Sequence, residues 1–362
     1  MDKILGIETS CDETAVSVVI DGHIVSSNEV ASQIAKHAVY GGVVPELAAR
    51  EHLKAINHVT DSALKTAGVK IKDINAIAVT NGPGLMPALL VGVNFARGLA
   101  ASRQIPLIGI NHFIAHIYSA FLNDAFTFLK NPDTYPILSA VVSGGHTALV
   151  LINKDRTAKI IGTTIDDAAG EALDKGAKLL DLGYPGGPIV DKLAHEGNPH
   201  EYKFPRSLTG AAGKPLSEKN RFNFSFSGLK TSLLYHIEKN GGVNNFKNPS
   251  TSLFNTVSSY QMAVVDVLCI KTINAAKHFK VKSVVLCGGV AQNSLLRTQL
   301  EDRLPKKINF IKTPREYCGD NAAMIAGLGW HYFKQTKFSD LGLDAYSRLP
   351  NLSEVPFVPD NM

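Results

Sequence analysis

The chain repeats itself. Ile4-Leu5-Gly6-Ile7-Glu8-Thr9-Ser10 aligns without a gap on Ile137-Leu138-Ser139-Ala140-Val141-Val142-Ser143, an offset of 133 residues, and Thr14-Ala15-Val16 then falls on Thr147-Ala148-Leu149. Each copy reads strand, polar turn, strand, second turn (Asp21-Gly22; Lys154-Asp155) and third strand. That pattern is a β-meander whose first hairpin exposes a small polar tip. A helical region follows each copy, then a strand–glycine–helix unit. In the first half this is 76–79, N-G-P-G and a helix over 85–101; in the second it is 283–286, C-G-G-V and a helix over 291–300. Glycine between a buried strand and a helix N-terminus lets the backbone approach a phosphate or a sugar. The expected fold class is therefore α/β, with two similar lobes facing each other across a cleft. Two unrelated α/β domains are the alternative. The expected lobes are 1–134 and 135–340, the second with an inserted basic and aromatic segment. Residues 320–340 are expected to pack back near the first lobe, and 341–362 form a tail without a usable motif.

This organisation resembles the actin, Hsp70 and sugar-kinase superfamily, whose members clamp a nucleotide with two hairpin loops on its phosphates. Composition fits: 362 residues, 45% hydrophobic and 19% charged, describe an ordinary globular protein. A net charge of +5 permits nucleic acid as a partner without demanding it. Cys11, Cys269, Cys287 and Cys318 are scattered with no C-x-x-C pair, the pattern of a reduced, cytoplasmic protein. The N-terminus runs straight into a strand-like segment with acids at Glu8, Asp12 and Glu13, and shows no secretory pattern. The longest uncharged stretch, 75–96, carries Gly82, Pro83, Gly84, Pro87 and Gly92. It reads as strand, turn and buried helix rather than a membrane span, so no membrane partner is expected.

Residues 111–116 read N-H-F-I-A-H. Histidines four apart share one face of a helix and can point two nitrogens at one divalent ion. A zinc protease places a Glu directly after the first His; here that position is Phe113, so the base is missing. Two satisfied histidines are the bland alternative. Asp320, in C-G-D-N-A, could cap a helix or complete a His-His-Asp metal set with open coordination positions.

The second hairpin tip, Ser143-Gly144-Gly145-His146-Thr147, offers hydroxyls and glycine amides to an anion, or is plain turn chemistry. The first tip, Ser10-Cys11-Asp12-Glu13-Thr14, is acidic, and suits orienting or deprotonating a nucleophile, or steering a metal. A solvated turn is the alternative. Asp166 to Lys175 looks like a capped helix start; Tyr184-Pro185-Gly186-Gly187-Pro188 follows as a rigid turn, then Asp191. Such acids accept hydrogen bonds from ribose hydroxyls in nucleotide sites, or merely cap helices. Phe222, Phe224 and Phe226 alternate with hydroxyl residues below Lys203, Arg206, Lys214, Lys219 and Arg221. Cations on phosphates and rings on bases suit RNA, whereas an amphipathic strand beside a solvated loop makes no such use of them.

Together these segments resemble the TsaD family of tRNA N6-adenosine threonylcarbamoyltransferases, once labelled O-sialoglycoprotein endopeptidases. The matching motifs are I-E-T-S-C-D-E-T-A at 7–15, Y-G-G-V-V-P-E-L-A-A-R at 40–50, G-P-G-L at 82–85, the two histidines, V-S-G-G-H-T at 142–147, F-S-F-S-G-L-K-T at 224–231, G-G-V-A-Q-N at 288–293 and C-G-D-N-A at 318–322. The resemblance runs from about residue 4 to 335 and is of the bacterial or organellar type. It implies an acyltransferase that moves a threonylcarbamoyl group from threonylcarbamoyl-AMP to N6 of adenosine 37 in tRNAs reading ANN codons, releasing AMP. It implies His112, His116 and Asp320 as ligands of one divalent metal, iron(II) ahead of zinc. Val141, Val142, Ser143, Gly144 and Gly145 would hold the donor's phosphate and threonylcarbamoyl region. Asp174, Gly187, Asp191 and Asn293 would contact its nucleotide, and Asp12 and Glu13 would be catalytic. A paralogous TsaB-like subunit and a TsaE-like small ATPase are the implied partners beside tRNA. Rival readings are a non-catalytic ATP-driven clamp and a metalloprotease.

Overall fold

A computed structural model describes residues 1–210, 217–247, 249–348 and 352–357. The chain divides into two compact units: 1–134 with 153–158 and 313–362, and 135–152 with 159–312. The whole C-terminal segment from Thr313 thus groups with the first unit, and the second ends at Lys312.

The first unit is built on a sheet of order β3-β2-β1-β4-β5, from β1 (Lys3–Glu8), β2 (Glu13–Ile20), β3 (Ile24–Ser32), β4 (Ala76–Gly82) and β5 (Leu107–Asn111). β1, β2 and β3 pair antiparallel as a meander, while β4 and β5 add parallel through helical crossovers. The second sheet has order β10-β9-β6-β7-β8, from β6 (Ile137–Val142), β7 (Thr147–Ile152), β8 (Ala158–Thr163), β9 (Ser283–Cys287) and β10 (Asn309–Lys312). Read from the meander edge, the two orders are the same, and Ile4 and Ile137 both lie in the first strand. The sequence duplication is therefore a duplication of topology.

β1 is buried on both faces, which explains its nearly unbroken apolar run. Leu5 and Ile7 point into a core with Val16 and Val18 of β2, Val79 of β4, and Ile56, Val59 and Val93 from the helices Pro45–Thr66 and Met86–Arg103. Ile4 and Gly6 face the other way, against the helix Ala323–Lys334. A Cβ on Gly6 would collide with the backbone of Ala322 and Ala326, so only glycine permits this approach. In the second unit the 28-residue helix Thr251–His278 is apolar and long enough to cross a membrane. However, 78% of its apolar window is buried inside the protein, as in a core helix.

His331, on the helix Ala323–Lys334, lies among Tyr118, Phe126, Trp330 and Phe357. Tyr118 donates its hydroxyl to the Gly22 carbonyl, so His331 Nε2–H donates to Tyr118 Oη, at 3.0 Å. Burial, with a smaller push from Arg156, drives the imidazole down to about 3 from 6.5. Between those values the unfolded chain binds a proton that the native state does not. This histidine's contribution is therefore complete above pH 6.5 and is lost as pH falls toward 3. His331→Phe should flatten the slope of stability against pH in that window by up to one proton, about 1.4 kcal/mol per pH unit. Denaturant titrations at pH 4 to 7 measure this; parallel slopes would refute it.

Candidate active site

β5 runs directly into a short helix, His112–Tyr118, capped by the Asn111 side chain, which accepts from Ile114 N–H at 3.0 Å. Every residue of that helix is buried. His112 and His116 therefore sit one turn apart with ring centroids at 4.6 Å. Their Nε2 atoms converge on Asp320 Oδ1, at 3.6 and 3.2 Å. At the start of the following helix Asn321 accepts from Met324 N–H at 3.0 Å and donates to the Tyr317 and Gly319 carbonyls. Asp320 faces the histidines. The three ligand atoms lie within 4.8 Å of one another.

This donor set fits a divalent metal. Two imidazole nitrogens and one carboxylate are the facial set that leaves coordination positions open. His112 is also oriented for the role. Its Nδ1 donates to Glu8 Oε2 at 3.0 Å and lies 3.2 Å from Ser10 Oγ, which turns Nε2 toward Asp320. His116 Nδ1 is buried and has no hydrogen-bond partner among the described residues.

Glu8, at the end of β1, is fully buried. Besides His112 it accepts from Ser10 N–H and the Thr80 hydroxyl, both at 2.5 Å. Burial works to raise its carboxyl, but the charge and hydrogen bond of His112 prevail and hold it below the usual range. Burial works to lower His112, and Glu8 with Asp320 outweighs it, lifting the imidazole to about 9 without an ion. In the sequence Glu8 stands out only as an acid. A carboxylate ending the apolar run I-L-G-I was the available signal, because a buried charge needs partners.

The acidic tip lies in the same unit. Burial, then Asp320 and Asp12, push Glu13 up to about 10. Glu13 thus keeps its proton and shares a hydrogen bond with Asp12, which is buried. Burial and the neighbouring acids likewise raise the Cys11 thiol, so it is no thiolate nucleophile.

The residues assigned to the donor are all in the second unit. Val141 and Val142 are buried at the end of β6; Gly144 and Gly145 are exposed, with open space around them. Gly170 packs so tightly under Ser143 and Gly144 that a Cβ would not fit, and its N–H donates to the Ser143 carbonyl. The helix Ala169–Leu179 is thereby fixed beneath this tip. Asp174 Oδ1 accepts from Gly186 and Gly187 N–H, so it holds the glycine turn. Asp191 accepts from Gln261 and from the Ser294 amide and hydroxyl, and Asn293 caps the helix Ser294–Arg303. These acids and this amide already serve the unit's own scaffold.

One expectation fails. Phe222, Phe224 and Phe226 are core residues, with Phe224 and Phe226 stacked on each other, and cannot stack on bases. Arg206 is held by Asp266 through Nε and Nη2 at 3.1 and 2.9 Å. Asp166 accepts from Ser225, Phe226 and Ser227 and so organises the F-S-F-S turn. Lys203, Lys219 and Lys230 remain exposed; Lys214 lies outside the described residues.

The sequence profile described as TsaD, tRNA N6-adenosine threonylcarbamoyltransferase, matches residues 24–327. A protein of that name from Syntrophus aciditrophicus is 47% identical over 350 residues, spanning 96% of this chain and 97% of its own. Another, from Thermosipho africanus, is 45% identical over 350 residues, spanning 96% and 99%. Among solved structures, HypF from T. kodakarensis aligns with a TM-score of 0.58 at 16% identity, covering 92% of this chain and 48% of that one, a likeness of fold. With two like α/β sheets, a His-His-Asp cluster and relatives matched nearly end to end, the chain belongs to the TsaD family of tRNA N6-adenosine threonylcarbamoyltransferases, acyltransferases that form N6-threonylcarbamoyladenosine in tRNA.

Proposed function

We propose that this chain, in the cytoplasm, transfers the threonylcarbamoyl group of threonylcarbamoyl-AMP to N6 of adenosine 37 in tRNAs reading ANN codons. The observation that carries this reading, beyond family membership, is the convergence of His112, His116 and Asp320 in the unit that also holds the buried Asp12 and its half-buried neighbour Glu13. In the reaction a bond forms between N6 and the carbamoyl carbon, and the bond from that carbon to the AMP phosphate oxygen breaks. AMP is a good leaving group, so positioning and stabilisation of oxyanion charge matter more than a strong enzyme nucleophile.

His112, His116 and Asp320 would hold a divalent metal, which would supply Lewis acidity and open coordination positions; two histidines and one carboxylate suit iron(II) first and zinc second. Glu8 holds His112 with Nε2 free for that purpose. The exocyclic amine is a poor nucleophile, and Asp12 takes its proton as the new bond forms. Glu13, protonated, donates to Asp12 and fixes its orientation. In the second unit, the 141–145 tip receives the donor's phosphate and threonylcarbamoyl region. Asp174, Gly187, Asp191 and Asn293 shape the turns against which its nucleotide rests. A TsaB-like subunit and a TsaE-like ATPase belong to the proposal on family resemblance alone. Phe113 is buried where a zinc protease carries its base, which disfavours proteolysis.

Incubation with threonylcarbamoyl-AMP and tRNA, followed by nucleoside analysis, tests the whole reading; unmodified adenosine in every tRNA would overturn it. Asp12→Asn keeps shape and loses the base, and should lower kcat by about 10²–10⁴-fold with donor binding kept. Wild-type turnover would return Asp12 to turn structure.

Glu8→Gln removes the charge behind His112. Calorimetric titration of metal-free protein with Zn²⁺ should show about 10–100-fold weaker binding than wild type. Equal affinities would mean Glu8 only fills its site. For tRNA, phosphate contacts at Lys203, Lys219 and Lys230 release counterions. Replacing all three with Gln should flatten the dependence of log affinity on log salt by about one to three units, while metal affinity stays unchanged. Superimposable salt curves would remove this surface from tRNA binding.

A further inference from the structure

Beneath the acidic tip runs a chain of buried side chains that neither the metal cluster nor the donor residues explain. His52, on the helix Pro45–Thr66, and His37, on the helix Ile34–Ala38, are fully buried, as is Thr14; Gln33 is nearly so. Val44 N–H donates to His37 Nδ1 at 3.2 Å. That nitrogen must be bare, so His37 Nε2 carries the proton and donates to Gln33 Oε1 at 3.1 Å. The Gln33 amide nitrogen then donates to the Ala48 carbonyl and to His52 Nδ1, both at 3.3 Å. The Thr14 hydroxyl donates to the same Nδ1 at 2.8 Å. His52 Nδ1 is therefore bare as well, and Nε2–H donates to the Cys11 carbonyl at 2.9 Å. Gln33 closes the arrangement with its backbone N–H on the Asp12 carbonyl, at 3.0 Å. Only one set of tautomers satisfies every link.

The carbonyls so held, those of Cys11 and Asp12, flank the Asp12 Cα on both sides. Fixing both leaves the Asp12 backbone little freedom, and with it the direction in which its carboxylate leaves the chain. We infer that His52 and Gln33 are positioning residues for the catalytic hairpin, and that His37 extends their hydrogen-bond chain to Val44. This rests on the reading of Asp12 as the base. Burial also holds the His52 imidazole below its usual range, in keeping with a neutral ring. The chain passes from the Y-G-G-V-V segment to the acidic tip and gives two separated family motifs one physical purpose.

Two substitutions separate positioning from simple packing. Gln at position 52 reaches as far as Nε2 and can still donate to the Cys11 carbonyl; Asn reaches only Nδ1 and cannot. His52→Asn should lower kcat by about 10–100-fold, as expected for a catalytic group displaced by about an ångström. Donor KM and Zn²⁺ affinity should stay within twofold of wild type. His52→Gln should recover most of the rate. Equal losses in both variants, or none in His52→Asn, would overturn the inference. Nitrogen-15 imidazole spectra of the unmodified protein give a readout independent of activity and folding of variants: His37 and His52 should each show a protonated Nε2 and a bare Nδ1 at neutral pH. The opposite tautomer, or an imidazolium, at His52 would also overturn it. Asp12→Asn, measured alongside, keeps the two readings apart. If it turns over normally, the base assignment fails, while the tautomers and the Asn–Gln contrast still decide whether His52 fixes the hairpin.

Discussion

The first unit depends on one close approach. Gly6, in the middle of β1, has no side chain, and the helix Ala323–Lys334 lies against the bare backbone there. Any larger residue would lift the helix off the sheet. Asp320 stands just before this helix, so its position relative to His112 and His116 follows from the contact at Gly6. Glu8, two residues along the same strand, orients His112 from behind. A strand, a helix start and a residue roughly two hundred positions away in sequence are thus registered through a single glycine.

The fold was legible because its determinants are local and repeated. Two copies of an apolar strand, a small polar tip and a second apolar strand allow few alternatives, and both sheets follow them. The histidine pair was legible for the same reason, since i and i+4 on a helix share a face without tertiary information. Asp320 was different. Its residues permit a cap as well as a ligand, and only the family resemblance favoured the ligand. In the structure Asp320 lies against both histidines, while Asn321, one position later, accepts from an amide in the first turn of the helix.

What was misread lay where the same pattern serves burial or binding equally well. Phenylalanines alternating with serines suit a base-stacking platform. They also suit an irregular segment with its rings in a core, and the second is what forms, pinned by Asp166. Asp174 and Asp191 are a different case: their spacing from glycines suits ribose hydroxyls, and each also accepts backbone amides of its own unit. Glu8, Gln33 and His52 were invisible as functional residues. Their value lies in which buried atom each meets, and no periodicity encodes that.

The site's electrostatics explain why so much buried polar structure collects around it. Glu8, Asp12, Glu13 and Asp320 lie close enough to disturb one another, with His112 among them as a partial counter-charge. Left to relax, such a cluster would turn its carboxylates toward water. Each is prevented by a separate scaffold. Glu8 is held by three donors, Asp320 by the helix docked at Gly6, and the Asp12–Glu13 tip by carbonyl contacts from His52 on one helix and from Gln33 at a strand end. Holding like charges together costs stability and is repaid only if a cation or a developing charge arrives there. A preorganised cluster of this kind stabilises charge at the moment of reaction without reorganising. For a transfer from a donor with a good leaving group to a weak amine, that is the assistance the chemistry lacks.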